Sequence, residues 1–245
     1  MLKDLLLVEL MKTRRSKLWL LVLIGPVLGV IFALGNFYFN YDVFMDEGGN
    51  GWLEAWTQVQ IFYSPLIFPI LTGVYAALVC RTEHVGNGWK QLLSFPIKRS
   101  HIYISKLIIV CLLLALTQVL LFLFFVAAGM ITDISNDIPW MALLGFITKG
   151  WLASLPLAAI QILASIYWSS FGAPLALNIG LSLPALLIAN SSFGQFYPWA
   201  QPMLAMSPAD ESPIPSYMVF YMLVLGLFLV ITLIGIATFK KRDFA

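Results

Sequence analysis

Long runs of apolar residues dominate the chain, and short charged or proline-rich segments separate them. Six runs are candidate membrane spans, at residues 18–39, 61–79, 102–131, 140–168, 174–189 and 217–239. A bilayer-crossing helix needs about 20 mostly apolar residues. With 60% hydrophobic and 11% charged residues, the chain has no segment polar enough for a soluble domain. We therefore expect an all-α integral membrane protein with six transmembrane helices in a single domain, residues 1–245.

The charged residues are sorted along the chain, although their sum is only +2. The N-terminus, the segment after the second run and the C-terminus hold 13 of the 14 Lys and Arg residues. The other three connections hold eight of the 12 acidic residues and no Lys or Arg. Because basic residues favour the cytoplasmic side, this pattern predicts cytoplasmic N- and C-termini.

The first 17 residues contain five basic residues, and the first apolar run follows them at 18–39. Such a segment can be a signal peptide, but this run is longer than the usual apolar region of one. We therefore predict an uncleaved first span. Residues 1–17 are expected to form a helix on the membrane surface, although its apolar residues occur almost all round.

Two places within the apolar regions are irregular. Lys149 lies in the middle of the fourth run, where a lysine is costly and can mark a functional pathway. It is a weak candidate for substrate binding. The alternative is that residues 140–148 form an interfacial helix, so that Lys149 lies at the outer surface. The segment 190–216 holds five of the 13 prolines among apolar residues, which favours a re-entrant segment before the last span. The fifth run contains Pro174 and Pro184, so a broken helix is an alternative there.

Few residues of the chain could carry catalysis. The only histidines are His84 and His101, and no acidic residue lies within a predicted span. No phosphate-binding G-x-x-x-x-G-K-[ST] loop is present, so we predict no ATP hydrolysis by this route, no metal site and no enzyme activity in the chain itself. Cys80 and Cys111 are expected to be reduced, inert thiols. We expect no nucleic-acid partner.

The segment 81–106 between the second and third runs is the most informative. Gly86 and Gly88 are expected to end the preceding helix. A short helix from Trp89 to about Phe95 is predicted next, with Trp89, Leu92 and Leu93 on one face, and Pro96 ends it. Ser100 is expected to cap the third long helix. A protruding apolar face of this kind could dock into a partner's groove, or the loop could lie on the membrane with Trp89 as an anchor.

The six-span plan and the sequence E-H-V-G-N-G-W-K-Q-L-L-S-F-P-I-K-R-S-H-I-Y-I-S-K at 83–106 resemble ABC-2 type transporter permeases. More narrowly, they resemble permease subunits of lantibiotic-immunity and bacitracin-type exporters. The resemblance implies a separate ATPase subunit that binds ATP and Mg²⁺, and a second permease subunit, identical or homologous. It also implies a coupling helix at 88–96. The residues expected to contact the ATPase are Glu83, Gly88, Trp89, Lys90, Leu92, Leu93, Phe95 and Pro96.

We therefore predict the membrane permease subunit of an ATP-driven exporter. The resemblance points to a lantibiotic or another amphipathic peptide antibiotic, expelled for self-protection. The alternatives are a non-transporting sensor or assembly protein that docks a cytoplasmic partner, and a secondary transporter that works alone.

Overall fold

A computed structural model describes residues 2–14, 16–45, 49–191, 193–208 and 212–242. Every regular element in these ranges is helical. The α-helices are α1 (Leu2–Arg14), α2 (Leu18–Phe39), α3 (Tyr41–Met45), α4 (Gly51–Phe62), α5 (Phe68–His84), α6 (Gly88–Ser94), α7 (Arg99–Ile131), α8 (Trp140–Tyr167), α9 (Gly172–Ser182), α10 (Ala185–Ala189), α11 (Gln201–Met206) and α12 (Tyr217–Lys241). A π-helical segment, Tyr63–Ile67, joins α4 to α5, and Gly194–Phe196 forms a 3₁₀ turn.

Five helical stretches in the described residues are long and apolar enough to cross a membrane. Four of them, α2, α7, α8 and α12, lie where spans were predicted. The second predicted span lies within the longer stretch Gly51–His84, in which α4, the π-helical segment and α5 run on continuously. Pro65 lies in the π-helical segment. Its ring and its missing N–H do not fit a regular α-helical turn, which explains the local change in winding.

The fifth predicted span is not one long helix. It is divided into α9, of 11 residues, and α10, of five residues, and Pro184 lies at the break. Neither part is long enough to cross a bilayer alone. Length and composition therefore support five crossings, and a sixth crossing by the broken pair stays a prediction.

The helix ends that carry most of the basic side chains meet at one end of the bundle. There Arg99 donates to the carbonyl of Lys240 at 2.9 Å, which joins the start of α7 to the end of α12. Arg242 donates to the carbonyls of Ile166 and Tyr167 at 2.9 and 3.0 Å, which adds the end of α8. We call this end, formed by 81–106, 165–171 and 238–242, the basic end.

At the opposite end, residues 197–208 of the proline-rich segment pack into the protein. All six residues of α11 are buried, and its last carbonyl, of Met206, accepts a hydrogen bond of 2.9 Å from the Trp56 indole. Helix α11 packs against α8, and turns within the segment pair its backbone groups, as in the hydrogen bonds from the Gly194 N–H to Ser191 and from the Ala200 N–H to Tyr197. The apolar side chains of Phe193 and Phe196, which precede α11, are exposed.

Residues 140–148 are the first turns of α8, which runs without a break from Trp140 to Tyr167, and their position at the membrane interface stays a prediction. One local prediction is wrong. Ser100 does not cap α7, because Lys98 holds the cap position and its side chain makes no capping hydrogen bond.

Helix α1 packs against α7 and buries Leu5, Glu9 and Thr13. Its exposed side chains include Leu7, Leu10 and Met11. The helix thus turns the Glu9 carboxylate inward beside Leu5, while several large apolar groups face outward, unlike a surface helix of a soluble protein. This arrangement fits a helix whose outer face contacts the lipid boundary.

Candidate functional site

The chain between α5 and α7 forms a sharp, well-defined loop at the basic end. Helix α5 ends at His84, and Gly86 and Asn87 have positive φ angles of 64° and 61°. Glycine adopts this conformation without steric cost. A Cβ on Gly88 would lie 2.8 Å from both the Cα of Glu83 and the carbonyl oxygen of Thr82. The predicted short helix is confirmed as α6, and it begins tightly against the end of α5.

Trp89, on α6, is turned into the protein. It is only 5% exposed, and its ring centroid lies 5.5 Å from that of Phe239 on α12 in an edge-to-face contact. Its indole N–H donates to Nδ1 of His84 at 3.3 Å. Leu92 and Leu93 share this inward face and are partly buried against the same core. The three residues therefore share a face, as predicted, but the expectation that this face protrudes is wrong.

His84 connects α6 to α8. Its Nε2 lies 2.8 Å from the carbonyl oxygen of Ser165, so this nitrogen carries the proton and donates. Nδ1 is then free to accept from Trp89. The imidazole therefore holds α6 against the end of α8 in one tautomer.

Beneath Trp89 lies a cluster of four charged side chains, of which Glu9, Glu83 and Lys106 are buried and Lys12 is partly exposed. We call it the ion cluster. The Lys106 ammonium lies 2.7 Å from Oε2 of Glu83 and 3.1 Å from Oε2 of Glu9. It also donates to the carbonyl of Val79 at 3.0 Å. Lys12 lies 2.7 Å from Oε1 of Glu83 and 3.1 Å from Oε1 of Glu9. The cluster joins α1, α5 and α7.

The ion cluster is electrically neutral and largely buried. The charges of its two cations and two carboxylates sum to zero, and the Lys106 side chain is completely buried. A charged group inside a protein is tolerated only when opposite charges and hydrogen bonds compensate the loss of water. The Trp89 ring adds to this, because its centroid lies 5.7 Å from the Lys106 ammonium. The three helices are therefore bound to one another and to α6 by directional contacts.

The outer face of α6 consists of the side chains that remain available to a partner. Lys90, Gln91, Ser94 and Pro96 are exposed, and Phe95 is 60% exposed. The eight predicted partner-contacting residues thus divide into three groups. Glu83 and Trp89 are buried supports, Lys90, Phe95 and Pro96 face outward, and Gly88, Leu92 and Leu93 are partly buried. Contact with an ATPase stays a prediction for all of them.

The ion cluster was missed at the sequence level. Glu9, Lys12 and Lys106 were regarded only as charges at the ends of apolar runs. A signal was available in α1, where Glu9 stands among Leu5, Leu6, Leu7, Val8 and Leu10. An acidic residue in such a run needs a partner when the helix is buried. The identity of that partner depends on which helices pack together.

Lys149 lies far from the ion cluster, toward the opposite end of α8. Its ammonium is 5.1 Å from the ring centroid of Tyr217, the first residue of α12, and its side chain is partly exposed. Nineteen helical residues from Lys149 to Tyr167 span roughly 28 Å, about the thickness of a hydrocarbon core. This position favours Lys149 at the membrane boundary, and a role in substrate binding stays a prediction.

A neutral polar cluster lies between the two ends of the bundle. Asn178 on α9 donates to the carbonyl of Pro69 at 2.7 Å and accepts from Gln161 at 2.9 Å and from Trp199 at 2.8 Å. It is completely buried. In the described ranges, no group of three or more His, Cys, Asp or Glu side chains could hold a metal ion.

Comparison with known proteins identifies the family. A family model described as "ABC-2 family transporter protein" matches residues 5–185, which include α6 and all four members of the ion cluster. No curated protein and no solved structure gives a significant match. The family model covers more than half of the chain, and five helices of the described residues could cross a membrane. The chain therefore belongs to the ABC-2 family of transporter proteins and is a multi-pass permease subunit, of a kind that generally works with an ABC ATPase.

Proposed function

We propose that this permease is part of an exporter that expels a lantibiotic or another amphipathic peptide antibiotic. In this proposal a separate ATPase subunit binds ATP and Mg²⁺, and a second permease subunit, identical or homologous, completes the membrane part. The resemblance of 83–106 to lantibiotic-immunity and bacitracin-type permeases supports the substrate class. Family membership supports the ATPase partner.

The observation that carries the proposal is the two-sided character of α6. Its outer face exposes Lys90 and Phe95 to a partner, while its inner face places Trp89 against α5, α7 and α12. A groove on the ATPase that holds Phe95 would grip α6 from outside. We therefore assign direct ATPase contact to the outward residues, and we assign to Glu83 and Trp89 the support of α6 from beneath.

A push on α6 would be transmitted along three contacts. The first leads from Trp89 through Lys106 to α1, α5 and α7. The second leads through Phe239 to α12, and the third through His84 to α8. When two ATPase subunits close on ATP, the permease would shift between states that differ in their affinity for substrate. The free energy comes from ATP hydrolysis on the partner.

This proposal places the basic end and both termini on the cytoplasmic side of a bacterial plasma membrane. The charge distribution supports that orientation. It also places α11 as a re-entrant segment at the outer boundary. Helix α12 is the candidate contact for the second permease subunit. Only 17% of its apolar 18-residue stretch is buried, against 61% of the corresponding stretch of α8. Lipid covers whatever the second subunit leaves exposed.

Co-purification of the ATPase with tagged variants tests the proposal. We expect Phe95→Asp to lose the ATPase while its unfolding temperature in detergent stays that of the wild type. Phe39→Asp is the matched control, because Phe39 is 92% exposed at the far end of α2, and it should retain the ATPase.

Three outcomes would contradict the proposal. If the wild-type protein brings down no ATPase from its native membrane, the chain is better described as a stand-alone transporter. If the ATPase is retained by Phe95→Asp, α6 is not its docking helix. A complex that forms normally but moves no peptide out of cells would favour a sensor or assembly role.

A further inference from the structure

We propose that the groove where the start of α2 meets the basic end is a specific binding site for an anionic glycerophospholipid. The site is a groove of about 860 Å³ between the start of α2, the end of α5 and Phe171. Volumes of this size are typical of small-ligand pockets. The proposal does not depend on the substrate or the ATPase of the permease.

The walls of the groove match an acyl chain. They are formed largely by aliphatic side chains of α2 and α5, including Leu21, Ile24 and Leu78. Ile24 lines the groove and is 47% exposed, so its apolar surface is available to a ligand. Burial of such surface against a hydrocarbon chain is favourable, and a single extended chain can follow the groove between the two helices.

The mouth of the groove matches a phosphate. Lys17 and Arg81 both line it and are both exposed. Neither forms an ion pair with a carboxylate of the described residues, and no acidic residue is among those that line the groove. The Arg81 guanidinium lies over the Phe171 ring at 5.9 Å, which helps to hold it at the mouth. Two uncompensated cations beside an apolar groove fit an anionic headgroup with its acyl tail.

Charge also argues against a second copy of the chain as the occupant. In a symmetric contact of this face with itself, Lys17 and Arg81 would meet their own copies. Such like-charge contacts are unfavourable, whereas a lipid phosphate neutralises both cations.

Thermal unfolding of delipidated protein in a neutral detergent tests the site. Dioleoyl-phosphatidylglycerol should raise the unfolding temperature with saturation, and dioleoyl-phosphatidylcholine should raise it much less. Glycerol 3-phosphate alone should have no effect, because it lacks the tail. In Lys17→Gln/Arg81→Gln, half-maximal stabilisation should need at least tenfold more phosphatidylglycerol. The control Lys240→Gln/Lys241→Gln removes two exposed cations elsewhere at the basic end and should titrate as the wild type.

A second variant tests the tail independently of charge. Ile24→Trp is expected to fill the groove and abolish the stabilisation by phosphatidylglycerol, while the unfolding temperature without lipid stays unchanged. Equal stabilisation by the two lipids, or an unchanged titration in both Lys17→Gln/Arg81→Gln and Ile24→Trp, would overturn the proposal. So would a second copy of the chain cross-linked through this groove in lipid-saturated membranes.

Discussion

Replacement of Lys106 by methionine should expose how strongly the ion cluster holds the helices together. Methionine has nearly the length of the lysine stem, so it removes the charge with little change in packing. Glu9 and Glu83 would then keep only Lys12, whose side chain is 31% exposed. The cluster changes from neutral to a net charge of −1, and the carbonyl of Val79 loses its Lys106 donor.

The expected cost follows from the burial of the cluster. Removal of one partner of a buried ion pair costs about 3–5 kcal/mol, because the other charge stays buried without compensation. For a chain of this size, that loss corresponds to a fall of roughly 6–20 °C in the unfolding temperature. The temperature is read from tryptophan fluorescence in detergent. Lys3→Met is the control, because Lys3 is exposed on α1, and it should change the temperature by less than about 2 °C.

A second variant separates charge imbalance from lost contacts. Lys106→Met/Glu83→Gln leaves one cation and one carboxylate, so the cluster is neutral again. It should recover part of the stability lost in Lys106→Met, a non-additivity that is typical of residues within one network. The reasoning is refuted if Lys106→Met unfolds at the wild-type temperature, or if the double variant is less stable than the single one.

Three further predictions concern helix packing and placement. Gly235→Leu should destabilise the protein by about 1–3 kcal/mol in thermal unfolding, because a Cβ there would overlap the Tyr103 hydroxyl. Gly226→Leu, on the same helix with open space around it, should unfold as the wild type, and equal losses in both variants would contradict the packing argument. Asn178→Leu should lower stability by about 1–3 kcal/mol, because three hydrogen bonds are lost at a buried site, and an unchanged unfolding temperature would show that they contribute nothing. Lys149→Cys should react rapidly with a membrane-impermeant thiol reagent added outside intact cells, whereas protection from that side would place the residue at membrane depth.

Much of the fold could be predicted from the order of the apolar runs. The spans at 18–39 and 217–239 and the short helix after Gly86 follow from local properties, because helix length, glycine and proline act within a few residues. The fifth span was harder to predict. Pro184 indicated a break, but the end of α9 depends on its packing against α5 and α8.

The candidate site, too, could be predicted only in part from the sequence. The apolar face of α6 could be recognised from the spacing of Trp89, Leu92 and Leu93, since helical periodicity is a local property. The direction in which this face points could not be predicted, because an apolar face can turn toward a partner or toward the chain's own core. The contacts of Trp89 with Phe239 and Lys106 join residues far apart in the sequence.

The amino-acid sequence by itself determined that this chain is a membrane protein, where most of its long helices lie and how its charges are sorted. Those properties follow from hydrophobic burial and from local geometry, which each segment carries within itself. Only the tertiary structure decided that Lys106 lies between Glu9 and Glu83, and that Trp89 faces inward. Charges from three helices can compensate one another only after the helices have packed, because electrostatic pairing depends on distances in space.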